Sequence, residues 1–169
     1  MNIQEILNRN GIISIWHFTD RSNLESIAEN GLLSLSNILD QDIDVSRYGA
    51  SESSHSQDKR KGLDKFVHLS FVQDHPMYHI AKWDGRIIDP VWIEIDTSIL
   101  TDDNTCFSNM LANTYNAAIF ESKDLERMIN FEKILYKNHS YTRKEARKAE
   151  IMVYNQITID QFKGIYNGN

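Results

Sequence analysis

The sequence has little of what secreted, disulfide-rich or membrane proteins require. It carries one cysteine in 169 residues, Cys106, so an internal disulfide is excluded, and nothing near Cys106 indicates a reactive thiolate. No apolar run approaches the roughly 20 residues of a spanning helix. The N-terminal MNIQEILNRNG is polar and acidic, where a signal peptide is basic and then apolar. These absences predict a soluble protein of the cytoplasm, with no membrane contact and Cys106 as a half-buried small residue.

Positive charge is also scarce. The net charge is -6, from 18 Lys and Arg against 24 Asp and Glu, which argues against broad electrostatic binding of nucleic acid. The charge leaves room for a local basic groove. Taken alone, each of the two basic clusters is typical of solvated surface: Lys59, Arg60, Lys61 and Lys65, and Arg143, Lys144, Arg147 and Lys148.

Several signature motifs are missing. The sequence has no GxGxxG or GxxxxGK[ST] loop to cradle a phosphate and no GxSxG turn to present a nucleophilic serine. These absences exclude Rossmann enzymes, P-loop NTPases and α/β-hydrolases.

Only two prolines and seven glycines interrupt the chain, without a linker or a repeat, so we expect a single domain over residues 1–169. Helices are predicted at 3–9, 23–29, 75–82 and in part of 124–135, and a turn or short helix at 158–162. Strands are predicted at 12–18, 66–71, 92–95, 116–121, 149–154 and 164–167. The polar segment 36–64 is predicted to be a long functional loop, with room for a short helix at 53–61. Without βαβ alternation, the pattern favours an α+β fold with a mixed or mostly antiparallel sheet.

Glu150 is the most informative single residue. It lies one position into an otherwise apolar strand (AEIMVY), and a carboxylate at the rim of a sheet loses solvation unless it has partners. From spacing alone, an exposed edge residue paired with Arg147 or Lys148 is the favoured interpretation.

The histidines leave several roles open. His17 ends a predicted strand, where it suits a ligand site or a structural role equally, and His68 points either to a cleft or to solvent. His75 and His79 have the i, i+4 spacing of zinc ligands, but no nearby Glu or Cys completes a site, so we predict a helix N-terminus and no metal. The remaining histidines are predicted at the surface: His55 and His139.

Three segments, in order, resemble one family. Residues 16–34 (WHFTDRSNLESIAENGLLS) resemble the opening of DarT-like ADP-ribosyltransferases, the toxins of a bacterial toxin–antitoxin pair that modify DNA bases. Residues 66–78 resemble that family's strand followed by a Pro–Met pair. Residues 147–165 are similar to its Q-A-E strand and closing elements. Together the segments cover most of the chain.

The resemblance implies the split, mostly antiparallel ADP-ribosyltransferase sheet around an NAD cleft. It implies Glu150 as the catalytic glutamate and Arg60, or else Lys61 or Lys59, as the basic residue of the loop. It also implies that NAD contacts come from His17, Thr19, Asn23, Leu32, Phe71, Met77 and Tyr78, and nucleic-acid contacts from Arg143, Lys144, Arg147 and Lys148.

The implied chemistry uses NAD as the donor substrate, without a metal. Breaking the bond from ribose to nicotinamide develops positive charge on the ribose, which a carboxylate at Glu150 would stabilise before accepting a proton from the attacking base. Arg60 would neutralise the pyrophosphate or orient Glu150. Phe71 or Tyr78 would stack on nicotinamide.

The expected acceptor is a base of single-stranded DNA, or of RNA, in a toxin–antitoxin or phage-defence system with an antitoxin partner. The segment 106–115 (CFSNMLANTY) lacks the histidine that the family often carries there, which keeps guanine, thymine, an RNA base and a protein open as acceptors. Two alternatives are an inactive NAD- or nucleic-acid-binding protein on the same fold, and a metal-dependent nuclease using His17 and Glu150. No acidic cluster supports the nuclease.

Overall fold

The computed structural model describes residues 2–101, 103–136 and 141–169, so His139 lies outside the described residues. The helices are α1 (Ile3–Arg9), α2 (Leu24–Asn30), α3 (Leu35–Asp40), α4 (Glu52–Lys61), α5 (Pro76–Trp83), α6 (Leu125–Met128), α7 (Phe131–Leu135) and α8 (Tyr141–Ala146). The strands are β1 (Ser14–Asp20), β2 (Leu32–Leu33), β3 (Phe66–Leu69), β4 (Pro90–Asp96), β5 (Thr105–Ser108), β6 (Ile119–Phe120), β7 (Glu150–Tyr154), β8 (Gln156–Ile157) and β9 (Phe162–Asn167). Short 3-10 turns link several of these elements.

The strands form a split antiparallel arrangement. One sheet has the order β1-β4-β9, another β3-β7-β5-β6, and β2 pairs with β8. Every ladder among the described residues is antiparallel. The two larger sheets meet at one bridge, where Trp16 and Ser70 exchange backbone hydrogen bonds of 2.9 and 2.8 Å. The predicted α+β class with a mostly antiparallel sheet is therefore confirmed.

A single large apolar cluster lies behind the sheets. Alternation along β3 buries Val67 and Leu69 and turns His68 to the opposite face. On β7, Ile151 and Val153 are buried in the same cluster, while Met152 pairs across the ladder with His68. The period of two that predicted these strands thus also decides which side chains face the cleft.

The segment 36–64 differs from the predicted long loop. Ser34 and Ser51 accept hydrogen bonds from backbone N–H groups in the first turns of α3 and α4, and so cap both helices. Helix α4 buries only Asp58. Helix α4 lies where the sequence left room for a short helix at 53–61, whereas α3 is not among the predicted helices. Helix α4 has no apolar stripe, so the rest of its polar segment reads as loop.

Candidate active site

A cavity of about 260 Å³ is lined by residues of both larger sheets. Residues of β1, α2, β2, α3, α4 and β3 form its wall, together with the segment 43–50, and Glu150 lies at the start of β7. More of the wall surface is apolar than polar, and many polar side chains also line it, which suits a ligand with both apolar and polar groups.

Glu150 is held at both carboxylate oxygens. Its side chain is 14% exposed, and the Ala112 N–H donates to Oε2 at 2.7 Å. Oε1 lies 3.6 Å from Nδ1 of His68, an ion-pair distance. Burial acts to raise the pKa of Glu150, but His68, His75 and the Ala112 N–H outweigh it and hold the pKa below its usual value. Glu150 is therefore an ionised carboxylate in a mostly apolar cavity, and the edge pairing with Arg147 or Lys148 is wrong.

Ala112 belongs to a loop that α4 also anchors. Nζ of Lys61 donates to the backbone oxygens of Ala112 (3.3 Å) and Thr114 (2.5 Å). The backbone of Ala112 thus contacts Lys61 through its carbonyl oxygen and Glu150 through its N–H, so helix α4 helps to place the carboxylate.

His17 contacts the same group of residues from β1. Its Nδ1 lies 3.1 Å from the carbonyl oxygen of His68 and must donate to it, because a carbonyl only accepts. Burial is the main cause that lowers the pKa of His17. A neutral His17 ring bonded in this way keeps Nε2 as a hydrogen-bond acceptor.

Asn23 fixes the segment that carries Arg47. Its Nδ2 donates to Oγ1 of Thr19 (3.0 Å) and to the backbone oxygen of Arg47 (2.6 Å), and its Oδ1 accepts from the Arg47 N–H (3.1 Å). Arg47 lines the cavity, and its Nη1 donates to the carbonyl oxygen of Gly85 at 3.2 Å. The buried amide of Asn23 therefore positions a basic residue at the cavity.

The comparisons with known proteins identify the family. The family model described as "ssDNA thymidine ADP-ribosyltransferase, DarT" matches residues 16–169. The chain belongs to the DarT family. The resemblance seen in the sequence is thereby confirmed. No curated protein matches the chain significantly.

Solved DarT structures share the fold. Thermosipho africanus DarTG in complex with ADP-ribose is 20% identical, with a TM-score of 0.74 over 93% of this chain and 44% of that chain. Thermus sp. 2.9 DarT in complex with ADP-ribosylated ssDNA is 17% identical, with a TM-score of 0.71 over 92% and 81% of the two chains. The Thermus protein in complex with NAD+ is 15% identical, with a TM-score of 0.66 over 91% and 81%. The chain therefore spans less than half of the Thermosipho protein.

Several residues predicted from the resemblance line the cavity along with Glu150: His17, Thr19, Asn23, Leu32 and Met77. Their roles toward NAD stay predictions. The side chain of Asn23 is largely occupied by Thr19 and by the backbone of Arg47, so we interpret it as a support for the site.

Arg60 lies outside the cavity. It is exposed near the end of α4, whereas Asp58, two positions earlier, faces the cavity from the buried side of the helix. Arg47 is the arginine of the polar segment that lines the cavity. Sequence reasoning missed it, although the small apolar group around it (Ile43, Val45 and Tyr48) was a usable signal within an otherwise polar stretch.

Phe71 and Tyr78 lie in the core, away from the cavity. The ring of Phe71 packs edge-on against Phe131, with centroids 5.6 Å apart, and the hydroxyl of Tyr78 donates to the backbone oxygen of Asn169 at 3.0 Å. Neither is among the cavity-lining residues that the structure describes. Phe71 follows β3, and Tyr78 lies in the first turn of α5. Both side chains are buried because these two elements pack inward. The aromatic side chains that do line the cavity include Phe18, Tyr48 and Phe66.

The basic residues predicted to bind nucleic acid divide into different roles. The guanidinium of Arg147 is 8% exposed and donates to the backbone of Ile134 and Tyr136 and to Asp74, so it is a structural residue rather than a free phosphate contact. The remaining three are half-buried or exposed: Arg143 stacks on Tyr136, Lys148 pairs with Glu145, and Lys144 is exposed.

The other histidines occupy defined positions. His75 is the buried N-cap of α5, as predicted, and His79 pairs with Asp74 at 2.7 Å. His55 lines the cavity and is half-buried, which corrects its predicted surface position.

In the part of the chain that the structure describes, no group of three or more His, Cys, Asp and Glu side chains could hold a metal ion. The described helices also include none long and apolar enough to span a membrane.

Proposed function

We propose that this chain transfers ADP-ribose from NAD to a thymidine base of single-stranded DNA. The observation that carries the proposal is the ionised Glu150, fixed by Ala112 in a cavity of suitable composition for a nucleotide. The family description supports the thymidine acceptor, and the Thermus complexes with NAD+ and with ADP-ribosylated ssDNA support donor and acceptor classes.

In this reaction the bond between ribose C1′ and the nicotinamide nitrogen breaks, and nicotinamide leaves with the bonding electrons. Glu150 lowers the energy of the resulting oxocarbenium-like ribose because its negative charge is already in place and poorly solvated. A ring nitrogen of the base then bonds to C1′, and its proton passes to the Glu150 carboxylate.

Arg47 and His17 supply the groups that a dinucleotide would need. We propose that Arg47 takes the role first expected of Arg60, pairing with the negatively charged pyrophosphate. The neutral ring of His17 carries no proton on Nε2, so Nε2 would accept a hydrogen bond from a ribose hydroxyl or from the nicotinamide carboxamide.

The loop after β5 is our candidate for acceptor recognition. Leu111 and Asn113 line the cavity, and the ring of Tyr115 is 98% exposed at the same loop. An exposed aromatic ring beside a cavity can stack on an unpaired base. Of the basic residues expected to bind DNA, Lys144 is the most accessible.

One of the named relatives supports a proposal for the biological setting. Because the Thermosipho structure is of a DarTG protein, we propose that this chain acts as a toxin with an antitoxin partner, in the cytoplasm where NAD and DNA are available.

We also propose that the chain is one domain, since one core cluster extends from Ile3 to Ile157.

The test is a transfer assay with labelled NAD. Purified protein is incubated with matched single strands that contain or lack thymidine, and with duplex DNA, RNA and lysate protein. Label on the thymidine-containing single strand alone supports the proposal, and label on RNA or protein would contradict it.

Glu150→Gln provides the control, because it keeps the shape and removes the charge. We expect it to reduce transfer by about 1000-fold or more while NAD binding stays near that of the wild type. Full activity in Glu150→Gln would remove Glu150 from the mechanism. NAD binding without label on any acceptor would indicate an inactive binding protein.

A further inference from the structure

His68 lines the cavity beside Glu150, and Asp58 lines it as well. It projects from β3 on the face opposite to buried Val67 and Leu69. Nδ1 is 3.6 Å from Oε1 of Glu150, and Nε2 is 3.2 Å from the carbonyl oxygen of Leu63. Asp58, on α4, approaches closely enough for its charge to act on His68.

Both ring nitrogens of His68 therefore face acceptors. A carbonyl oxygen carries no proton, so Nε2 must be the donor in its contact with Leu63. On the other side, Oε2 of Glu150 already accepts from Ala112, which favours the ionised carboxylate and leaves Oε1 to attract a proton on Nδ1. A histidine that carries a proton on both nitrogens is an imidazolium cation, and at 3.6 Å its Nδ1 forms an ion pair with Oε1 of Glu150.

We propose that His68 is a positioning residue for Glu150: as an imidazolium it fixes Oε1 and keeps the carboxylate charged within the cavity. The inference rests on the proposed function, since it assigns Glu150 the same role. His68 acts through Glu150, and without this cation the burial of Glu150 would favour the neutral acid, which cannot stabilise an oxocarbenium-like ribose.

Electrostatics agree with this geometry. Burial acts to lower the pKa of His68, but Glu150, Asp58 and the Leu63 carbonyl outweigh it and raise the pKa to about 9. Three titratable groups on neighbouring elements act directly on this pair: His17 on β1, Asp58 on α4 and His75 at the start of α5. Lys148 and Asp74 act in turn on His75, and Asp64 acts on Asp58.

Asp58 completes the arrangement. Its side chain is buried and lines the cavity, and Oδ1 has no hydrogen-bond partner among the described residues. A buried carboxylate without full hydrogen bonding is costly, and the nearby imidazolium offsets part of that cost. The cation therefore acts on both Glu150 and Asp58.

The kinetic test compares wild type, His68→Gln and His68→Lys, with His79→Gln as the matched control because His79 is an exposed histidine outside the cavity. kcat and KM for NAD are measured from about pH 5 to about pH 9. We expect His68→Gln to lower kcat about 100-fold, the loss that a small misplacement of a reacting group can cause, with little change in KM. The acidic limb of the pH profile of kcat should move to higher pH by about 1 pH unit or more, because the pKa of Glu150 rises when the cation is lost. His68→Lys, which restores a cation, should recover part of kcat and reverse that movement. An unchanged pH profile in His68→Gln, or a loss confined to KM, would overturn the inference.

A spectroscopic test is independent of turnover. The ¹⁵N ring shifts of His68 are assigned by comparison with His68→Gln and followed in wild type and Glu150→Gln. We expect both ring nitrogens to be protonated at neutral pH in wild type, and the pKa of His68 to fall in Glu150→Gln. An unprotonated ring nitrogen at neutral pH in wild type would overturn the inference. If wild type transfers nothing to any acceptor, the proposed function fails, while these shifts still decide the state of His68.

Discussion

Single side chains in this protein take their roles from what surrounds them more than from their type. Arg147 and Lys144 belong to one basic cluster of the sequence, yet the guanidinium of Arg147 is buried against Asp74 and two backbone carbonyls while Lys144 is exposed. Arg147 lies three residues before Glu150. Its contacts therefore tie the start of β7 to α7 and to the segment that leads into α5.

Arg147→Met should destabilise the fold. Removing the cation takes away the donor that Arg147 supplies to the carbonyls of Ile134 and Tyr136 and leaves Asp74 with His79 alone, so we expect a loss of about 3 kcal/mol in the free energy of unfolding. Urea denaturation measures it. Lys144→Met is the matched control and should change stability by less than about 0.5 kcal/mol. If Arg147→Met kept full stability and lost only DNA binding, the original expectation of a nucleic-acid contact would be reinstated.

Among the elements, the turn from α2 into β2 determines one wall of the cavity. Gly31 ends α2 with φ of 75°, which favours glycine, and the chain then pairs with β8 through Leu32 and Ile157. A Cβ at Gly31 would lie 2.5 Å from the carbonyl oxygen of Ile157. Because that atom is backbone, the strand pair must shift to admit any side chain.

Gly31→Ala is therefore expected to lose stability twice over, through the backbone conformation and through the contact with β8. We expect a total of about 3 kcal/mol, measured by thermal and urea unfolding. Gly11→Ala separates the two causes, since Gly11 has φ of 70° with nothing within 4 Å of its Cβ position. That control should lose about 1 kcal/mol. Equal losses in both variants would show that the approach of Ile157 is unimportant.

At the scale of the whole molecule, the charge of the cavity links stability to pH above neutrality. The net charge is -6, but the cavity wall gathers His17, His55, His68 and His75 beside Glu150. Burial is the leading cause that lowers the pKa of the other three histidines, whereas the acidic partners of His68 raise its pKa to about 9. Lowered pKa values move the titration of His17, His55 and His75 toward acid pH, and burial raises the pKa of the Cys106 thiol to about 11.

This charge distribution predicts how stability changes above neutral pH. His68 has a folded pKa of about 9 against 6.5 when unfolded, so its contribution is complete below pH 6.5 and is lost as the pH rises to about 9. In that window the folded state holds one more proton than the unfolded state. The free energy of unfolding should therefore fall by about 1.4 kcal/mol per pH unit from this group.

Urea denaturation across the window, with His68→Gln beside wild type, measures the slope. The variant should lose it, and His79→Gln should keep it. An identical pH dependence in wild type and His68→Gln would contradict the assignment of a proton to His68.

The sequence by itself determined the elements whose signals are local. The period of two in FVHLSF, the Pro after His75 and the Asn30–Gly31 stop each placed an element, because strand alternation, helix capping and left-handed turns depend on neighbouring residues. The three ordered segments also determined the family, and Glu150 with it as a predicted catalytic residue.

Only the tertiary structure decided which polar residues meet. Glu150 on β7, His68 on β3 and Ala112 in the loop after β5 are far apart in the chain, and sheet pairing brings them together. Likewise Arg47 lines the cavity because the buried amide of Asn23 holds its backbone, while Arg60 is exposed because α4 buries the opposite side. A long-range hydrogen bond leaves no periodic pattern in a sequence. The same holds for the side of a polar helix that faces the core, because any polar residue fits a polar pattern equally well.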